Sequence, residues 1–157
     1  MPKITPFLWF HHQAEEAAKF YTSVFKGSKI LGGARYTKGM QRKAGSVLTV
    51  NFRILDQEFT ALNGGPGFKF NQATSFVVHC KTQKEVDTYW RKLSAGGKEV
   101  MCGWLVDKFG LSWQIVPDVL LQLIVDKDPA KVERVMMAMM KMVKLDIKGL
   151  QKAAAGK

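Results

Sequence analysis

Residues 100–117, VMCGWLVDKFGLSWQIVP, place a thiol, an indole, a hydroxyl and an amide within one short segment. The segment has the pattern of two strands joined by a tight turn. Because side chains alternate along a strand, Ser112 and Gln114 are expected on one face of it. Both side chains can hydrogen-bond a small molecule, and Cys102 and Trp104 are candidates for the edge of the same pocket. The alternative is that all four residues are ordinary core and edge residues of a sheet.

The amide of Gln114 favours the pocket, because a buried amide in a packed core needs partners for several hydrogen-bonding positions. The two cysteines, Cys80 and Cys102, form no CxxC pair. The sequence therefore supports neither a zinc clip nor a redox motif, and reduced thiols are expected.

The three histidines do not form a metal site in the expected structure. His11 and His12 are adjacent in a turn that precedes a helix, where exposed polar residues are common. Neighbouring residues do not easily present both side chains to one ion. Alternation along the strand that contains His79 directs that side chain towards the helix layer.

The 157 residues are enough for one domain with its own core, and 46% of them are hydrophobic, as in globular proteins. No apolar run approaches the roughly 20 residues of a membrane span. The N-terminal segment MPKITPFLWF lacks the pattern of a secretory signal. We therefore expect a cytoplasmic protein without a membrane partner.

The formal net charge of +11 raises the question of a polyanionic partner. The lysines are scattered along the chain, and no helix-turn-helix, zinc-finger or aromatic–basic RNA-binding signature is present. A lysine-rich solvated surface explains the charge best. Nucleic acid is therefore not expected as a partner, and a basic scaffold for a polyanion is the least favoured function.

The chain contains an internal repeat with an offset of 69 residues. Residues 5–29, TPFLWFHHQAEEAAKFYTSVFKGSK, align with residues 74–98, TSFVVHCKTQKEVDTYWRKLSAGGK. Each copy reads as an apolar strand, a polar turn and a helix with one apolar face, followed by glycine. Two copies of one structural module are therefore predicted.

Strands follow each helix. Residues 48–54, LTVNFRI, alternate strictly between apolar and polar, as in a half-buried strand, and residues 56–63 return beside them. The predicted fold is α+β, with two tandem β-α-β-β-β modules at residues 3–66 and 72–117 in one domain of residues 1–157. A helical tail is predicted over residues 118–157.

Within the tail, Asp128 and Pro129 form an N-cap and first-turn pair. A methionine-rich helical stripe follows, and then a short helix in DIKGLQKAAAG. Such a stripe is more often core or subunit contact than an adaptable binding surface, and it would suit the contact of a homodimer.

Four segments carry a family resemblance: ITPFLWFHHQAEEAAKFY, FTALNGGPGFKFN, SFVVHCKTQKEVDTYWRKLSAGG and CGWLVDKFGLSWQIVP. Together with the tail they resemble the PhnB-like branch of the vicinal oxygen chelate superfamily, which includes glyoxalases, bleomycin-resistance proteins and ring-cleaving dioxygenases. The branch is often described as 3-demethylubiquinone-9 3-methyltransferase. The chain departs from it at His11–His12, where an acidic residue and a glycine are usual, and at His79, where asparagine is common.

The resemblance implies that the two modules curve their sheets into a cup, which in the superfamily holds a divalent metal. Mapping its four ligand positions through the repeat gives Thr5, Thr60, Thr74 and Gln114. These neutral side chains offer neither imidazole nor carboxylate, the usual ligands of such a cation. We therefore expect no metal cofactor, with a divalent metal held by ligands at other positions as the alternative.

The expected function is binding of a small molecule in an apolar pocket of the cup, as in a resistance or sequestering protein. A metal-dependent lyase, isomerase or dioxygenase is the alternative. Methyl transfer is not expected, because NGGPG at residues 63–67 follows a strand but opens no helix. The predicted pocket residues are Thr5, Phe7, Trp9, Thr60, Thr74, Phe76, Cys102, Trp104, Ser112 and Gln114.

Overall fold

The computed structural model describes residues 3–157, which divide into two compact units, one that ends at Phe70 and one that spans Asn71–Lys157. Each unit contains one four-stranded mixed sheet. The tail that follows the second module belongs to the second unit. The α+β class and the tandem β-α-β-β-β modules predicted from the repeat are confirmed.

The first unit follows the predicted order of one strand, one helix and three strands. Its elements are β1 (Phe7–Phe10), α1 (Ala14–Val24), β2 (Lys29–Arg35), β3 (Val47–Ile54) and β4 (Gln57–Asn63). The sheet has the order β1-β4-β3-β2, with β1 parallel to β4 and the other pairs antiparallel. The parallel pair is possible because α1 provides the crossover.

Helix α1 packs against β3 and β4 and buries the apolar stripe that its sequence predicts. Ala17 and Tyr21 are fully buried on the helix, and Phe52 is fully buried on the sheet. The rings of Tyr21 and Phe52 stack with centroids 6.0 Å apart. The strict alternation of β3 thus places its apolar residues under the helix.

A residue at the end of β4 caps the first turn of α1. Gln13 makes no side-chain cap, and the amide of Ala14 instead donates to Asn63 Oδ1 at 2.8 Å. Asn63 is buried, donates through Nδ2 to the carbonyl of Val47, and its own carbonyl accepts from the hydroxyl of Tyr36. A side chain distant in sequence therefore satisfies a helix-terminal amide that would otherwise have no partner.

The second unit repeats the order and continues into the tail. Its elements are β5 (Ser75–Cys80), α2 (Gln83–Ser94), β6 (Lys98–Glu99), β7 (Trp104–Val106), β8 (Ser112–Pro117), α3 (Asp118–Leu123), α4 (Pro129–Met140) and α5 (Ile147–Ala154). The sheet order is β5-β8-β7-β6, with β5 parallel to β8. Thr82 and Glu85 form a capping box at the start of α2.

Trp113 and Ile115 lie on the face of β8 that packs against α2, as predicted, and both are buried. Trp113 Nε1 donates to Asp107 Oδ2 at 2.9 Å. The other carboxylate oxygen of Asp107 accepts from the amides of Phe109 and Leu111. This buried carboxylate therefore holds the turn between β7 and β8 together.

The tail has its own small core, which includes the end of β8. It consists of Val116, Leu120, Val135, Leu145 and Leu150. The amides of Cys102 and Gly103 donate to the carbonyls of Met142 and Val143. Asp128 caps α4 with Pro129 in its first turn, as predicted, and Asp146 caps α5. Within residues 3–157, no helix is long and apolar enough to cross a membrane.

Candidate functional site

Each sheet has one face against its helix and an opposite face, which we call the distal face. In the second unit, strand register assigns residues of β5, β7 and β8 to the distal face. They include Ser75, Val77 and His79 of β5, Ser112 and Gln114 of β8, and Trp104 of β7. The prediction that Ser112 and Gln114 share a face is confirmed, and Trp104 lies directly beside Gln114 on β7.

Polar groups cluster on this face. Gln114 Nε2 donates to the hydroxyl of Ser75 at 2.9 Å, and Gln114 is half-buried. Ser112 is only 1% exposed, and its hydroxyl has no hydrogen-bond partner among the described residues. Buried hydroxyl groups are normally hydrogen-bonded, so a buried hydroxyl without a partner among the described residues is unusual.

Two predicted pocket residues at the start of β5 lie outside this polar cluster. Phe76 pairs in register with Trp113 and contacts its ring, with centroids 5.7 Å apart, so it lies on the helix side of the sheet. Thr74 precedes β5 and is exposed. The predicted orientation of the first strand of the second module was therefore wrong, and Ser75 takes the place beside Gln114 that was assigned to Thr74.

The error comes from the turn between the first strand and the helix of each module. Three residues, 11–13, separate β1 from α1, whereas two residues, 81–82, separate β5 from α2. The offset of 69 residues aligns the helices, but the strands need an offset of 70. A shift of one residue moves every side chain of a strand to the other face.

The same shift reverses the prediction for His79. Its side chain lies on the distal face with Gln114, rather than towards the helix layer. Nδ1 of His79 lies 3.8 Å from Oδ1 of Asp118, and both side chains are partly exposed. An imidazole and a carboxylate thus lie near each other at the end of β5.

In the first unit, Phe7, Trp9 and Thr60 share the distal face, as their predicted common orientation requires. Thr5 is exposed and precedes β1. The hydroxyl of Thr60 donates to Asn51 Oδ1 at 2.9 Å. This face is therefore aromatic at β1 and polar where β3 meets β4.

Glu58 also lies on this distal face, beside Arg53 on the neighbouring strand. It forms an ion pair with Lys3, and this hydrogen bond holds the pKa of the Glu58 carboxyl below its usual range. The carboxylate is therefore charged and paired near neutral pH, which makes it a poor proton donor.

Trp9 is held over a glycine loop. Its Nε1 donates to the carbonyl of Gly65 at 2.9 Å, and a Cβ atom at Gly64 would lie 2.4 Å from the indole ring. Phe68 meets the same ring edge-on with centroids 4.9 Å apart. As predicted, residues 63–67 lead into a turn rather than a helix.

The two cysteines differ in surroundings. Cys102 is half-buried, has a positive φ of 61° and lies in the turn before β7, where its amide is bound to the tail. Cys80 is fully buried, and this burial raises the pKa of its thiol to about 12. Cys80 is therefore a packing residue.

The donor set fits a divalent cation poorly at the positions that the resemblance assigns. Thr60 donates its proton to Asn51, and the amide of Gln114 is bonded to Ser75, so the available groups are neutral hydroxyls and amides. Within residues 3–157, no group of three or more His, Cys, Asp or Glu side chains is arranged to hold a metal ion. Neutral donors alone do not offset the loss of hydration of such a cation.

A comparison with curated proteins found no significant match. Solved structures give clear matches. A putative 3-demethylubiquinone-9 3-methyltransferase, a PhnB protein from Bacillus cereus, is 38% identical, with a TM-score of 0.67 over 74% of this chain and 99% of that chain. Protein PA1353 from Pseudomonas aeruginosa is 16% identical, with a TM-score of 0.62 over 74% of this chain and 98% of that chain.

The fosfomycin resistance protein FosX from Listeria monocytogenes is similar in fold. It is 11% identical, with a TM-score of 0.51 over 74% of this chain and 93% of that chain. A family profile described as 3-demethylubiquinone-9 3-methyltransferase matches residues 2–116. The chain therefore belongs to this family, the PhnB-like branch of the vicinal oxygen chelate superfamily.

Proposed function

We propose that this protein binds a small organic molecule, and that the distal face of the second sheet contacts it. The observation that carries the proposal is the buried hydroxyl of Ser112, which has no partner among the described residues. Leaving such a group unsatisfied costs free energy, which a polar group of a ligand would recover. Gln114, two residues along the same face, is half-buried and within side-chain reach of such a ligand.

The chemistry of this face favours a ligand with an apolar body and a few neutral polar groups. Trp104 and Val77 flank Gln114 and provide apolar surface. The hydroxyls of Ser75 and Ser112 and the amide of Gln114 offer hydrogen bonds without a fixed charge. Mostly apolar walls with a few polar groups are the usual composition of a small-molecule site.

The test is a ligand-observed NMR screen of small organic compounds, followed by titration of the compounds that bind. Gln114→Leu should weaken their binding by about tenfold, since a hydrogen bond within the site is lost. Gln151→Leu, at an exposed position of α5, is the matched control and should leave affinity unchanged. Equal affinities in the wild type and Gln114→Leu would contradict the proposal.

A second candidate function is enzymatic, and the pair of His79 and Asp118 is the observation that favours it. A histidine near a carboxylate can act as a general base. Compounds that bind should then be converted slowly, and His79→Gln should abolish conversion while preserving binding. If compounds bind and none is converted, the result would support the binding function and contradict the enzymatic one.

We do not extend the methyl transfer named in the family's description to this chain. A nucleotide methyl donor normally lies at a glycine-rich turn that leads from a strand into a helix. Here the glycine-rich residues 63–67 lead from β4 into a turn. Binding, with an acid–base step as the second candidate, accounts better for the residues of the distal faces.

A further inference from the structure

Several aromatic side chains lie together at the distal face of the first unit, and two of them are exposed. Phe7 of β1 is 61% exposed, and Phe68 of the loop after β4 is 68% exposed. Trp9 lies on the face of Phe7, and its ring meets Phe68 at an interplanar angle of 88°. The hydrogen bond from Trp9 to Gly65 fixes the orientation of the indole. We call Phe7, Trp9 and Phe68 the aromatic cluster.

A guanidinium flanks the same loop. Arg42 Nη2 donates to the carbonyl of His11 at 2.9 Å, and a Cβ atom at Gly65 would lie 3.3 Å from this nitrogen. Arg42 thus lies beside Gly65, the residue to which Trp9 is bonded. In the described part of the chain, Arg42 forms no ion pair with a carboxylate. A guanidinium has five N–H donors, so its capacity to bind an anion remains available.

Two long stretches of the chain, which include Arg42 and this loop, carry basic residues and no acidic ones, and Glu58 on the same distal face is paired with Lys3. Residues 17–55 contain eight Lys and Arg residues and no Asp or Glu, and residues 59–84 also lack an acidic residue. The first acidic residue after Glu16 is Asp56, at the turn between β3 and β4. A positive field attracts anions and disfavours cationic ligands.

We propose that the aromatic cluster and Arg42 bind a planar aromatic molecule that carries a carboxylate or similar acidic group. The ring of the ligand packs on the indole and phenyl rings, which interact favourably in stacked or edge-to-face arrangements. The acidic group pairs with Arg42, whose planar donors match a carboxylate. The cluster alone would accept any aromatic ring, and Arg42 selects the acid. The proposal concerns the first unit and does not depend on Gln114.

The test compares two probes of the same shape, naphthalene-2-carboxylate and the neutral naphthalene-2-carboxamide, by calorimetric or NMR titration. The wild type should bind the carboxylate about tenfold more tightly, as expected for one charge-assisted pair. Arg42→Gln should remove this preference and leave the affinity for the carboxamide unchanged. Phe68→Ala should weaken both probes, and since Phe68 is exposed, thermal unfolding of this variant should match that of the wild type.

Arg35→Gln is the matched control, because it removes one positive charge from an exposed arginine of the same unit. It should leave both affinities unchanged. Equal affinity for the two probes, no effect of Arg42→Gln, or failure of both probes to bind would overturn the proposal. Loss of carboxylate binding in Gln114→Leu, with no loss in Arg42→Gln, would assign the probe to the second unit, overturning this proposal while supporting the proposed function.

Discussion

At the scale of single residues, Ser112 is where stability and ligand binding are expected to oppose each other. Its hydroxyl is buried without a partner in the described residues, so it lowers the stability of the ligand-free protein. The neighbouring Ser75 hydroxyl accepts a hydrogen bond from Gln114 and should stabilise the sheet. Removal of the hydroxyl is therefore expected to raise stability at Ser112 and to lower it at Ser75.

Ser112→Ala should raise the free energy of unfolding by about 1 kcal/mol, because an unsatisfied buried group is removed. Ser75→Ala is the matched control and should lower it by about 1 kcal/mol, because a hydrogen bond is lost. Urea denaturation measures both, and the NMR titration of bound compounds should show weaker binding to Ser112→Ala. A loss of stability in Ser112→Ala would mean that the hydroxyl has a stabilising partner.

The thiol of Cys80 should be unreactive in the folded protein. Burial raises its pKa to about 12, so the reactive thiolate is scarce at about pH 8. Alkylation at this pH, followed by mass spectrometry of peptides, should label the half-buried Cys102 well before Cys80. Unfolding in denaturant should make both thiols react, and equal rates in the native protein would contradict the predicted burial of Cys80.

At the scale of elements, the turns between strands and helices determine which side chains lie on the distal face of each sheet. The two modules have the same element order. The extra residue between β1 and α1 shifts the alignment of the first strands by one residue relative to that of the helices. That turn also leaves α1 without a cap of its own, and Asn63 from β4 provides one. Strand β4 and helix α1 are therefore coupled.

Asn63→Ala should lower the free energy of unfolding by about 1–3 kcal/mol, because buried partners of its amide are left unsatisfied. These partners are the amide of Ala14 and the carbonyl of Val47. Asn71→Ala, at an exposed loop position, is the control and should cost less than 1 kcal/mol by the same reasoning. Chemical denaturation followed by circular dichroism measures the difference, and equal losses would refute the coupling.

The tail is attached to α2 by a contact that depends on pH. Lys144 Nζ lies 2.7 Å from Asp87 Oδ1, and hydrogen bonds from Lys144 and then Gln83 hold the pKa of Asp87 below its ordinary value. A carboxyl with a lowered folded-state pKa contributes stability above its unfolded pKa, and this is lost as pH falls through the folded value. The contribution should therefore be complete near neutral pH and absent in strong acid.

Asp87→Asn should lower the free energy of unfolding by roughly 0.2–1 kcal/mol at about pH 7, a small value because the pair is exposed. The difference from the wild type should shrink as the pH falls below about 4 and vanish in stronger acid. Asp56→Asn is the control, since Asp56 has no ion-pair partner among residues 3–157. If the difference in unfolding free energy between Asp87→Asn and the wild type persisted unchanged at low pH, it would not come from the charge of Asp87.

At the scale of the whole molecule, the family match and the structure divide the chain differently. The profile match ends at residue 116, near the end of β8. The tail that follows shares a core with β8 through Val116 and belongs to the second unit. Met137 and Met140 of α4 remain exposed. A homodimer through this helix and a cytoplasmic location stay predictions.

Elemental analysis tests the absence of a metal cofactor. The protein is incubated with zinc, nickel, manganese and iron and then desalted. Because the donors at the expected positions are neutral, we predict far less than one retained ion per chain. Gln114→Glu is a useful comparison, since an added carboxylate should increase metal retention. About one tightly held ion per wild-type chain would contradict the prediction and favour the metal-dependent enzyme.

The sequence by itself determined the fold class, the repeat and the apolar face of each helix, because these depend on local periodicity and on the spacing of turn residues. It also determined which residues of β8 share a face. The distal-face positions of Ser75 and His79 needed the tertiary structure, because they depend on a one-residue difference between two turns. The contacts of Arg42, and the lack of a partner for Ser112 among residues 3–157, likewise depend on residues distant in sequence, which no local pattern specifies.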